Sequence, residues 1–101
     1  MEGVRFEWDE AKNLSNQHKH GISFRQASAV FLDPLYVSVQ DRIEDADLRW
    51  QAIGMLDDLL LLTVAHAVRE ENEGTPIDII RIISARAATR QERRRYENEN
   101  R

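Results

Sequence analysis

No cysteine occurs among the 101 residues, which excludes disulfides and thiolate metal sites and is compatible with a reducing compartment. Glycine is scarce, four in all, and no glycine-rich phosphate loop, nucleophile elbow or dinucleotide fingerprint is present. No apolar run approaches the roughly 20 residues that cross a bilayer. The opening Met1-Glu-Gly-Val-Arg-Phe-Glu-Trp8 lacks a basic segment followed by a long apolar one. A cytoplasmic protein without membrane contact is expected. Histidine is sparse too: His18-x-His20 has no third ligand at suitable spacing and His66 lies far along the chain, so neither a metal nor another cofactor is expected. Positive charge is short over residues 1–80, with 7 Lys+Arg against 15 Asp+Glu, net −8. Residues 81–101 reverse this with 7 against 3, net +4. Six arginines from Arg81 to Arg95 can therefore present a positive field to a phosphate, although the whole chain carries −4.

With 42% hydrophobic and 32% charged residues, the chain reads as folded, and its length suits one domain spanning residues 1–101. Asp9 is a good N-cap for a helix in which Ala11, Leu14 and His18 share a face, and Gly21 suits the left-handed position that ends it. Ser23-Phe-Arg-Gln26 is a capping box opening a second helix, whose face Phe24, Ala27, Val30, Phe31 should cover a sheet until Asp33-Pro34 stops it. Alternation then places strands over 35–40, 48–56, 59–68 and 77–85, with an acidic loop through Asp47 and a longer polar loop over 69–76. Thr89-Arg-Gln-Glu92 is a second capping box and opens a terminal helix of about ten residues anchored by Tyr96. The expected class is α+β: two N-terminal helices, an antiparallel sheet of about four strands, and a C-terminal helix.

If Asp57 and Asp58 form a two-residue hairpin loop, Leu56 faces Leu59 and Arg49 falls opposite His66, close enough to act on one ligand. An imidazole suits proton transfer near neutrality, and a neighbouring arginine favours its neutral form. The plainer reading makes His66 a strand-end residue and Arg49 a solvated one. Arg81 interrupts an apolar strand and must pair with an acid, Asp78 or Asp41, or face a ligand. Arg86, five positions on, points to the opposite face of a regular strand, so only a bulge or the turn into the helix unites the two arginines. Ser84 can offer a hydroxyl to a phosphate or simply pack. Lys19 and His20 form a second cationic cluster, whose alternative role is favourable charge at a helix C-terminus.

In order, Phe6-Glu-Trp-Asp9, Lys19-His-Gly21, Phe24 with Ala27, Val30, Phe31 and Asp33, Arg49-Trp50 with Ile53-Gly54, and Arg81-Ile-Ile-Ser-Ala-Arg86 with Ala88, Glu92, Arg93 and Tyr96 resemble the BrnT toxin family. The resemblance spans nearly the whole chain and implies a fold similar to RelE ribonuclease toxins. It also implies the toxin half of a type II toxin–antitoxin module, an endoribonuclease held inactive by a BrnA antitoxin. That antitoxin carries a ribbon-helix-helix domain, through which the pair reaches operator DNA. The implied chemistry is metal-independent transesterification of RNA. Carried onto this chain, the resemblance makes Arg49, Arg81, Arg86 and His66 catalytic, and Lys19, His20, Ser84 and Arg90 substrate-binding. The arginines of the terminal helix offer a seat for an acidic antitoxin segment. A non-catalytic binding module of the same fold is the rival reading.

Overall fold

Asp9, Ser23 and Thr89 each accept a hydrogen bond from the backbone N–H three residues on, and each opens a helix. In the computed structural model, which describes residues 3–71, 74 and 77–101, these are α1 (Glu10–His20), α2 (Phe24–Ser28) and α3 (Arg90–Glu99). Both expected capping boxes are complete, Ser23 with Gln26 and Thr89 with Glu92. Gly21 at φ 71° closes α1 through a bond from its N–H to Gln17 O. α2 runs on into a 3₁₀ turn (Ala29–Leu32) that stops at Asp33. Among the described residues no helix is long and apolar enough to cross a membrane.

The sheet has five strands and is mixed, which corrects the expected four-stranded antiparallel arrangement. The piece around Phe6 forms β1 (Val4–Glu7), parallel to the late strand β5 (Ile77–Ala87). The other strands are β2 (Val37–Glu44), β3 (Asp47–Leu56) and β4 (Leu60–Glu71), in the order β1-β5-β4-β3-β2. The acidic segment before Asp47 is no loop. β2 extends through it, and Asp45-Ala46, at φ 51° and 65°, turns directly into β3. Likewise β4 continues to Glu71, while Glu73 and Pro76 of the expected 69–76 loop lie outside the described residues.

Phe24, Ala27, Val30 and Phe31 pack, as expected, on one sheet face against Ala52, Leu62, Val64, Ile80 and Ile82. Gly54 permits the close approach: a Cβ there would lie 2.7 Å from Val30 Cγ1 and 3.2 Å from Val30 O. α1 is turned the other way from the expected Ala11–Leu14–His18 face. Those three are exposed and the buried residues are Asn13 and Asn16. The reason is what α1 covers. β1 ends with Glu7 opposite Arg81, so the rest of β5 is a bare edge whose backbone groups need partners. Asn16 supplies them: Ala85 N–H donates to Asn16 Oδ1 at 3.1 Å, and Asn16 Nδ2 donates to Ala85 O and Ile22 O, both at 2.9 Å. Asn13 Oδ1 accepts from Phe24 N–H at 2.8 Å and fixes the corner between α1 and α2.

Candidate functional site

Strand register sorts the candidate residues onto the two sheet faces. Asp57 and Asp58 do form the tight turn, at φ 53° and 60°, and Leu59 N–H bonds Leu56 O at 3.1 Å. The ladder, however, resumes with Leu56 opposite Leu60, leaving Leu59 as an extra residue. A one-residue slip reverses every facing. Arg49 therefore stands opposite Ala67, His66 stands opposite Trp50, and the expected Arg49–His66 pair is overturned: the two side chains lie on opposite faces. His66 is on the helix-covered face, 2% exposed, with its ring edge-on to Phe31 at a centroid distance of 4.9 Å and Nδ1 3.1 Å from Val64 O. Burial pushes its pKa below the ordinary imidazole value, and the Val64 carbonyl opposes this in part.

The arginines, by contrast, converge. Ala65 pairs with Ser84 but His66 with Ile82, so Ile83 is a bulge in β5. That bulge is what a joint site for Arg81 and Arg86 requires, and it sets both with Arg49 on the face away from α2, whose other end α3 covers. Glu7, Arg81, Ala67 and Arg49 form one row across four strands. With neighbouring strands about 4.8 Å apart, Arg81 and Arg49 stand on either side of Ala67 in this row.

Their electrostatic settings differ. Arg81 approaches neither Asp78, which faces the other way, nor Asp41, which accepts from Gln51. Its acid is Glu7 at 3.7 Å, and Glu7 is also bound by Arg69. The Arg69 hydrogen bond chiefly lowers the Glu7 pKa, against some burial. Arg86 is clamped by Glu92 through bonds of 2.7 and 2.9 Å, and Glu92 also accepts from Thr63 Oγ1 and Thr89 N–H. Chiefly through Arg86, and despite burial, the Glu92 carboxyl falls to about 2. Arg49 has no ion-pair partner among the described residues, and its Nε is buried without any hydrogen-bond acceptor.

Lys19, His20 and Ser84, from distant parts of the chain, line a single groove of about 180 Å³ between α1 and the β5 bulge, with Lys12 beside them. Arg90 stands apart, exposed at the start of α3. α3 buries none of its residues and is tethered by polar contacts. Besides Glu92, Tyr96 donates to Asp33 Oδ2 at 2.7 Å and Asn100 to Leu35 O at 2.9 Å. Burial and the Asp33 carboxylate push the Tyr96 hydroxyl to about 12. Between α3 and Val39, Gln51 and Ile53 a cleft of about 710 Å³ remains. Sequence reasoning missed the roles of Glu7, Glu92 and Asp33 as partners of Arg81, Arg86 and Tyr96. The capping box marked Glu92, but nothing local marked its second bond to Arg86.

Acid should loosen this arrangement in two steps. A neutral buried His66 favours the unfolded, protonated chain as pH falls below the ordinary 6.5. Glu92, ordinarily near 4.5 and here about 2, contributes stability above 4.5 that is lost as pH falls toward about 2. Urea unfolding across pH 2–8 should show stability falling through both windows, and Glu92→Gln should flatten the lower one. An unchanged lower step in that variant would show that Glu92 is not its source.

A family model for "Ribonuclease toxin, BrnT, of type II toxin-antitoxin system" matches residues 8–92. The crystal structure of the Brucella abortus ribonuclease toxin BrnT is similar over 86% of this chain and 99% of that one, at 26% identity and a TM-score of 0.63. No curated protein matches at a comparable level.

Proposed function

Because the chain belongs to the BrnT family of ribonuclease toxins of type II toxin–antitoxin systems, we propose that its arginine-bearing sheet face binds and cleaves RNA by metal-independent transesterification. The observation that carries this is the unpartnered Arg49 Nε. A buried N–H without an acceptor costs about 1–3 kcal/mol, and a phosphodiester oxygen between Arg49 and Arg81, met by the Arg49 side chain turning outward, would supply one. Arg81 then approaches the same phosphate from across Ala67, and Arg86, oriented by Glu92, adds charge at the far end of the bulge. Planar guanidinium groups suit this task because they meet phosphate oxygens two at a time.

In the reaction the ribose 2′-hydroxyl loses its proton and its oxygen attacks the adjacent phosphorus. The bond to the 5′-oxygen breaks, and that oxygen takes up a proton, leaving a 2′,3′-cyclic phosphate. Arg49 and Arg81 stabilise the negative charge that builds on the phosphorane. Lys19, His20 and Ser84 extend the path of the RNA strand over the β5 edge, and Arg90 meets a more distant phosphate. Of the imidazoles, His20 is the one set in this groove, and we assign proton transfer to it. His66, on the far side of the sheet, takes no part in this chemistry. The fold is read as RelE-like and as one toxin domain over residues 1–101. The antitoxin that family membership implies is taken to be BrnA-like, bearing a ribbon-helix-helix domain and linking the pair to operator DNA. An RNA target places the activity in the cytoplasm.

Incubating the purified chain with long RNA in EDTA should give products ending in 2′,3′-cyclic or 3′-phosphates. Products with 5′-phosphates, or a strict need for Mg²⁺, would overturn the mechanism. Binding of RNA or antitoxin without any cleavage would favour the non-catalytic binding module instead.

A further inference from the structure

The two sheet faces differ in charge as well as in covering. On the helix-covered face, α2 and the 3₁₀ turn leave one end of the sheet bare. A cleft of about 370 Å³ opens there, floored by Trp50, His66, Val68 and Ile80 and walled by Phe31 and Tyr36. That volume falls within the roughly 300–1,000 Å³ of clefts that hold bulky organic groups. Val68 and Tyr36 are apolar surfaces left 46% and 41% exposed, and no lysine or arginine lines the cleft.

Two features say what belongs in it. His66 Nδ1 lies 3.1 Å from Val64 O. A carbonyl only accepts, so Nδ1 carries the proton and Nε2 is a lone-pair acceptor. Nε2 has no protein partner among the described residues and is not a buried unpaired atom, so it is reached from the cleft that His66 lines. The second feature is at the rim, where Glu70 and Asp78 stand directly opposite each other on β4 and β5, on this same face. Neither has a cationic partner among the described residues. Like charges so opposed are unfavourable until a cation joins them.

We infer that this cleft is the docking site for the antitoxin, and that it takes an aromatic side chain bearing a hydrogen-bond donor, Tyr or Trp, with a Lys or Arg nearby on the same segment. The ring fills the apolar floor, its O–H or N–H reaches His66 Nε2, and the cation lies between Glu70 and Asp78. Aromatic residues are the usual anchors of such pockets. RNA does not fit, since its phosphates would meet two carboxylates and no cation. This inference rests on the antitoxin reading above. It puts RNA and antitoxin back to back, because Arg49 and Trp50 are consecutive in β3 yet face opposite ways.

The antitoxin co-expressed and co-purified with the chain is the reagent for the test. Calorimetric titration should show the double variant Glu70→Lys with Asp78→Lys losing at least about tenfold in affinity, the range for reversing charges at an interface. Arg49→Ala should bind as the parent does. In the unmodified chain, the His66 imidazole NMR signals should shift on adding antitoxin and stay put on adding RNA. Parent affinity in the double variant with an unmoved imidazole would overturn the inference, as would a shift caused by RNA. A loss seen instead in Arg93→Glu with Arg94→Glu would move the docking site to α3. Failure of the unmodified chain to bind the antitoxin at all would remove the antitoxin reading itself, and this site with it.

Discussion

Replacing Arg49 by alanine should lower RNA cleavage by about 10²–10³-fold, the range for losing one donor to a developing anionic charge, while the folded fraction stays unchanged. The stability half of this expectation follows from the same observation as the catalytic half. Arg49 Nε is buried and unsatisfied in the free protein, so truncation removes an unmet donor rather than a native bond, and resistance to urea should hold or rise slightly. A residue retained at some cost to stability is the pattern expected of a binding group. Arg49→Lys keeps the charge but loses the planar fork, and should recover only part of the rate. His66→Ala supplies the contrast: measured per folded molecule it should cleave close to the parent rate, because His66 faces the other side of the sheet. Parent-like cleavage by Arg49→Ala, or a hundredfold loss in folded His66→Ala, would move the chemistry off the arginine face.

The largest loss of stability should come from a polar residue in a helix that looks amphipathic in the usual sense. Asn16→Ala leaves Ala85 N–H, Ala85 C=O and Ile22 C=O without their partner. At about 1–3 kcal/mol for each buried group left unpaired, thermal unfolding should come at least about 10 °C lower, since 1 kcal/mol moves the midpoint of so small a protein by about 4–8 °C. Leu14→Ala on the same helix should change stability by no more than about 0.5 kcal/mol, because Leu14 is 60% exposed. Equal losses in the two variants would mean that α1 packs through its leucine.

The contrast between Asn16 and Leu14 also marks where the sequence ceased to be readable. Helix ends were legible because caps act over three or four residues, and Asp9, Gly21, Ser23 with Gln26, and Thr89 with Glu92 all do what their chemistry requires. The face of α1 was not, because periodicity assumes that a helix buries an apolar stripe, whereas this one covers a strand edge that demands hydrogen bonds. Register was lost for a related reason. Asp57-Asp58 announced a turn correctly, but nothing local announced that Leu59 would be left over, and that single residue decides which face His66 occupies. The arginine site was half legible: a union of Arg81 and Arg86 depended on a bulge, and Ile83 provides it without any glycine to signal it. β1 has only four residues of local signal, and its partner lies more than seventy residues away.

That distant partnership also fixes when the arginine site comes into being. β2, β3 and β4 are joined by tight turns and can pair as soon as each leaves the ribosome. β1 has no strand to pair with until β5 exists, and α1 is held until then only at its corner with α2, because Glu7 meets Arg81 and Asn16 meets Ala85. Contacts so far apart in the chain form slowly and late. The hairpin sheet of β2, β3 and β4 can therefore form before β1 and α1 have their seat on it. Its cationic face, to which β3 brings Arg49 and β5 brings Arg81 and Arg86, is completed only when β5 has paired with β4 and β1.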